Sequence, residues 1–139
     1  MNDPLQVLRE FHAASFLRAY ERCMNPPDQG LGMPALMCAA FAAELGLKEL
    51  LRQRGIAVKM EHKFLDLLGL LPQSDSTAVR AEMISDWPDF DVQLAQANNA
   101  FATWRYFFER PTPIEVNLAF VAAFAGTVLK RVGGACVAV

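Results

Sequence analysis

The segment Pro34 to Arg54, PALMCAAFAAELGLKELLRQR, decides the fold. Leu36, Met37, Phe41, Leu45, Leu47, Leu50 and Leu51 recur along it with Ala between, so it is apolar on almost every side. A helix of this kind buries itself at the centre of a bundle rather than along one edge. Gly55 follows as its stop. Two of its charged residues stand on an apolar stripe. Glu44 and Lys48 continue the stripe begun by Met37 and Phe41, and their four-residue spacing puts them on one helix face. On so apolar a helix both are expected to be partly buried, and buried charges must be paired or hydrogen-bonded. Two readings follow: an i,i+4 ion pair at the bundle rim, or a polar site inside the bundle.

The flanking segments also carry helical signals. On the N-terminal side Asp3, Pro4 and Gln6 form a capping-box-like start. Leu5, Leu8, His12, Phe16 and Ala19 then recur at three- and four-residue steps. This helix is predicted to end near Cys23, before Asn25-Pro26-Pro27-Asp28-Gln29-Gly30. On the C-terminal side a third helix is predicted over Glu61 to Leu71 and ended by Pro72. A polar loop at Gln73-Ser74-Asp75-Ser76 and a shorter helix over about Thr77 to Asp86 follow. Phe90, Leu94, Ala97, Phe101, Trp104 and Phe108 alternate four and three apart, a heptad-like seam ended by Arg110-Pro111. Thr112-Pro113-Ile114-Glu115 reads as a capping box for a last helix with Ile114, Leu118, Val121, Ala125 and Val128 on one face. Lys130 and Arg131 suit the negative end of its dipole, and Gly133-Gly134 stops it. No strand is predicted; Ile56-Ala57-Val58 is too short. The expectation is one all-α domain over 1–139, an up-and-down bundle of four long helices plus one short helix, with its core at about 3–133 and an apolar tail at 134–139.

Composition narrows the function. The chain has 139 residues, 53% of them hydrophobic and 20% charged, which excludes intrinsic disorder. Its net charge of −2 lacks the basic excess that drives duplex DNA binding. A slightly positive mean hydropathy points to self-association. Met1-Asn2-Asp3-Pro4, with Arg9 and Glu10 soon after, does not read as a signal peptide. The longest apolar run, Leu118 to Leu129, falls well short of the roughly 20 residues of a membrane span. The expected location is cytoplasmic, with no membrane partner. Cys23, Cys38 and Cys136 form neither a disulfide framework nor a metal box, and no metal or cofactor site is expected. Gly30-Leu31-Gly32 lacks the Lys and the preceding strand of a phosphate-binding loop.

Three further residues stand out. His62, at the predicted start of the third helix, is expected to be neutral because the positive end of the dipole disfavours its charged form. Arg105 borders the apolar seam, and Glu44 and Glu109 are its candidate carboxylate partners. Trp104, Tyr106, Phe107 and Phe108 read as core plus a dimer face, with a base-stacking platform as the alternative.

Three segments in order resemble the HEPN family of prokaryotic helical bundles. Ala43-Glu44-Leu45-Gly46-Leu47-Lys48-Glu49-Leu50-Leu51 is similar to that family's Glu-x-x-x-Lys helix. His62-Lys63-Phe64-Leu65-Asp66-Leu67-Leu68 looks like its His-x-Leu-x-x-Leu segment. Phe101-Ala102-Thr103-Trp104-Arg105-Tyr106-Phe107-Phe108-Glu109 resembles the Phe-x-x-Trp-Arg-Tyr-x-x-Glu of one branch. The resemblance implies a homodimer of helical bundles with an RNA- or nucleotide-related role, often in toxin–antitoxin or phage-defence systems. Nuclease members carry an Arg followed, after four to six residues, by a His. Neither His12 nor His62 has one at that spacing, and Arg54 stands too far ahead of His62, across a helix break. The expectation is therefore a non-nuclease HEPN-like module holding a nucleotide or RNA on Glu44, Lys48, His62, Arg105 and Glu109. Lys48 and Arg105 would contact phosphate. Two alternatives stand beside it. One is a ribonuclease with His62 as base and Arg105 stabilising the phosphate charge. The other is a structural or regulatory module for a partner protein.

Overall fold

The computed structural model describes residues 4–26, 29–58, 63–98 and 116–133. Among these lie six α-helices, one 3-10 turn and no strand, so the protein is an all-α bundle. The helices are α1 (Pro4–Met24), α2 (Gly32–Gln53), α3 (Phe64–Leu70), α4 (Gln73–Met83), α5 (Phe90–Ala97) and α6 (Leu118–Val132).

α2 is the central element, and its sequence explains why. Ala35, Ala39, Ala42, Ala43, Leu47, Leu50 and Leu51 are fully buried, because α1 and α6 pack against it in the two largest helix contacts of the described residues. Phe16 of α1 stacks on Phe41 of α2 with ring centroids 5.1 Å apart. Small residues admit α6 on the other side. A Cβ placed on Gly46 would lie 3.0 Å from Val128 Cγ1. The helix stops where expected: Gly55 takes φ +74, the Gly55 N–H donates to Arg52 O (3.0 Å) and the Ile56 N–H to Leu51 O (2.9 Å). This is a Schellman closure, which needs the left-handed conformation that Gly adopts without strain.

The two glycines Gly46 and Gly69 allow a test of this packing. Gly46→Ala adds helix propensity worth about 1 kcal/mol. It also drives a methyl into Val128, whose χ1 is stiff in a helix, at an overpacking cost of about 1–3 kcal/mol. The expected net result is a loss of about 1 kcal/mol in urea unfolding. Gly69→Ala is expected to gain up to about 1 kcal/mol, since nothing lies within 4 Å of its Cβ position. A Gly46→Ala variant as stable as the wild type would mean that α6 does not sit this close to α2.

Three helices depart from the sequence expectations. α3 starts at Phe64, not Glu61, and Lys63 is extended at its N-cap (ψ 133). Gln73 to Ser76 is the first turn of α4 rather than a polar loop. Pro72 makes the difference: it ends α3, and its carbonyl then accepts from the N–H groups of Asp75 (2.9 Å) and Ser76 (3.2 Å). α4 also ends at Met83, ahead of Asp86. The last helix begins at Leu118, because Asn117 is extended and its Oδ1 accepts the Phe120 N–H (3.2 Å). α6 thus starts from a side-chain cap at Asn117. The Thr112–Glu115 box, the seam beyond Asn98 and the tail 134–139 lie outside the described residues.

The core holds a cluster of aromatic rings. Phe64 of α3, Phe90 of α5, and Phe120 and Phe124 of α6 are all buried. Phe120 stacks on Phe124 (6.2 Å) and meets Phe90 (5.8 Å) and Trp87 (5.3 Å) edge-on. Phe64 contacts Phe124 at 5.7 Å.

Candidate functional site

The C-terminal half of α2 carries the charge. Glu44 is only 7% exposed and accepts a hydrogen bond from Lys48 Nζ at 3.3 Å. The sequence expectation of a partly buried pair on one face therefore holds. One turn further, Glu49 is fully buried and takes a fork from Arg52: Nη2 to Oε1 at 2.8 Å, Nε to Oε1 at 3.1 Å and to Oε2 at 3.2 Å. Lys48 and Arg52 are four residues apart and both partly exposed, so they form a row on one side of the helix. Each carboxylate lies deeper than the cation that serves it. A buried carboxylate needs its counter-ion, and so each cation is held at the surface in a narrow range of positions.

A second constellation joins three helix ends. Asp75, in the first turn of α4, is 1% exposed. Arg54, just past the end of α2, donates to it twice, from Nε to Oδ2 (2.8 Å) and from Nη2 to Oδ1 (2.9 Å). Arg131, in the last turn of α6, donates from Nε to the same Oδ1 at 2.8 Å. The Arg54 hydrogen bonds, with help from Arg131 and against the cost of burial, hold the Asp75 carboxyl down at about 2. Asp75 is therefore charged at any physiological pH.

Other pairs lie at the surface. Arg80 and Asp91 form an exposed two-pronged pair, with the Arg80 guanidinium 5.6 Å from the centroid of the Phe90 ring. They border a shallow cleft of about 360 Å³ between α3, α4 and α5, floored by Leu68 and Leu94. Lys130 Nζ bonds Glu82 Oε1 at 3.0 Å in the open, where such a pair contributes little. Cys23 and Cys38 are both free thiols. Burial, helped by the nearby Cys23, pushes the Cys38 thiol up, away from the thiolate that nucleophilic chemistry needs.

Of the residues singled out in the sequence, Glu44 and Lys48 come together as expected. His62, Arg105 and Glu109 lie outside the described residues. The sequence reading missed Glu49–Arg52 and the Arg54–Asp75–Arg131 junction. The i,i+3 spacing of Glu49 and Arg52 was a usable signal. Asp75 and Arg131 are 56 residues apart, and no local pattern links them. Among the described residues no group of three or more His, Cys, Asp or Glu side chains could hold a metal ion, and no helix is long and apolar enough to cross a membrane. The described charged groups pair along α2 and lock the ends of α2, α4 and α6 together. Comparison with protein-family models, curated proteins and solved structures finds no match to this chain.

Proposed function

We propose that the protein is a non-nuclease, HEPN-like helical module that acts as a homodimer and binds RNA or a nucleotide, in a toxin–antitoxin or defence setting. The observation that carries this reading is the row of Lys48 and Arg52 on α2, each cation tethered to a buried carboxylate of its own helix. A tethered cation meets a phosphate with less entropy to lose than a free one. Lys supplies a point charge and Arg a planar fork. The order of the three family-like segments adds His62, Arg105 and Glu109 to the proposed site. Self-association is supported by exposed Leu65, Leu70, Ile84 and Val92.

The test combines binding with cleavage, using metal-free protein and a 5′-labelled single-stranded RNA, with a nucleotide panel read by thermal shift. The expected outcome is binding without cleavage. Lys48→Gln combined with Arg52→Gln, which keeps a donor for each carboxylate, should weaken binding at least about tenfold while helical circular dichroism is retained. RNA cleavage by the wild type, lost in His62→Ala/Arg105→Ala, would overturn the reading in favour of the ribonuclease. No response to RNA or to any nucleotide would overturn it in favour of a partner-protein module.

A further inference from the structure

The Arg54–Asp75–Arg131 junction has an imbalance that the α2 row lacks. Each cation of the row has its own carboxylate. At the junction two guanidiniums share one, and both meet it at Oδ1. Among the described residues the local sum is one positive charge in excess. Two like charges have been brought within one carboxylate's reach, and the repulsion between them is only partly offset. A second anion would relieve it.

The geometry leaves room for that anion. Asp75 is 1% exposed, whereas the side chains of Arg54 and Arg131 are 35% and 37% exposed. The carboxylate thus sits beneath the two guanidiniums, with their outer edges in solvent. A guanidinium carries five N–H donors. Arg54 spends Nε and Nη2 on Asp75, and Arg131 spends only Nε. The Nη groups of Arg131 and Nη1 of Arg54 make no hydrogen bond within the described residues. The two forks come from different helices and are held by the same buried acceptor, so they keep their relative placement in the absence of ligand. Arg donors fixed in this way match the tetrahedral oxygens of a phosphate. Nearby Lys130 is matched by Glu82 and adds no net charge.

We propose that Arg54 and Arg131, held on Asp75 where α2 and α6 end and α4 begins, form a binding site for a phosphate group. The site is separate from the Lys48–Arg52 row and does not depend on it. A phosphomonoester and a phosphodiester of RNA present the same oxygens, so the ligand chemistry is a phosphate oxyanion.

The test is titration of the full chain at low salt with inorganic phosphate, with adenosine 5′-monophosphate and with a single-stranded RNA lacking terminal phosphates. Arg131→Gln is the main variant, because Arg54 still holds Asp75 in it, and Arg131→Lys is its conservative partner. Phosphate affinity should fall about tenfold or more in Arg131→Gln, the loss expected for a charge-assisted hydrogen bond, and should largely return in Arg131→Lys. If RNA is the source, Arg131→Gln should also reduce the slope of log K against log salt by about 0.7. If a monoester is the source, adenosine 5′-monophosphate should bind and the RNA slope should stay unchanged. In the Lys48→Gln/Arg52→Gln background Arg131→Gln should cause the same fold-loss of phosphate affinity as in the wild type, which separates failure of this site from failure of the α2 row. No phosphate, nucleotide or RNA response in the wild type would overturn the proposal. So would equal phosphate affinity in wild type and Arg131→Gln with only stability altered, since the junction would then be a structural lock.

Discussion

Asp75→Asn is expected to destabilise the protein by about 3 kcal/mol, the cost of breaking a buried ion pair by removing one partner. The substitution keeps the shape and removes the charge. It also turns one acceptor oxygen into an NH2 donor facing guanidinium donors. Arg54 and Arg131 then lose the charged acceptor that ties the ends of α2 and α6 to the start of α4. Urea unfolding followed by circular dichroism measures the effect. An unchanged midpoint would mean that packing alone holds the three helix ends together.

The same residue makes stability depend on pH. Its carboxyl is lowered from 3.8 to about 2 by the Arg54 hydrogen bonds, so the folded state holds its proton less tightly than the unfolded chain does. The contribution is present in full above about pH 4 and is lost as pH falls through about 2. At roughly 1.4 kcal/mol per unit, this is about 2 kcal/mol. Between pH 5 and pH 2 the wild type should therefore lose about 2 kcal/mol more than Asp75→Asn does. Parallel pH profiles for the two proteins would contradict the junction geometry. Arg80 also lowers the carboxyl of Asp91, but that pair is exposed, so the difference between the two proteins isolates Asp75.

The other large effect is expected in the core. Phe120→Ala should cost about 3–5 kcal/mol, the range for emptying a fully packed aromatic site. Phe120 is fully buried and touches Trp87, Phe90 and Phe124, so its removal takes ring contacts from the segment after α4, from α5 and from α6 at once. The cavity has little means to collapse, because its neighbours are rings held by three different segments. Phe120→Leu, which refills part of the space, should recover much of the loss. A cost below about 1 kcal/mol for Phe120→Ala would show that the cluster is not the centre of the core.

Much of this protein follows from local pattern. The apolar run over α2 required a central helix, and twelve of its residues between Ala35 and Leu51 are buried accordingly. Phe90, Leu94 and Ala97 were placed on one face by their spacing, and all three are buried. Gly55 marked its turn because few other residues tolerate the backbone it adopts there. The Glu44–Lys48 pair was legible for the same reason: four residues is a local distance on a helix, and an apolar helix must pair its charges. Helix starts were less legible. Pro72 and Asn117 each offer an oxygen to the first turn of a helix, and several polar residues nearby compete for that role.

Asp75 lies at the other extreme. In the sequence it belongs to a polar run with the composition of a loop, Gln73-Ser74-Asp75-Ser76. Its burial depends on α4 beginning at Gln73, which turns the side chain inward toward the ends of α2 and α6. Its partners lie 21 and 56 residues away. Local spacing alone thus determined that the chain is helical, where its central helix runs and that Glu44 pairs with Lys48 within it, because helix geometry repeats every few residues. The gathering of two guanidiniums on one buried carboxylate was decided by tertiary structure alone, because only the packing of α2, α4 and α6 brings those three side chains within hydrogen-bonding distance.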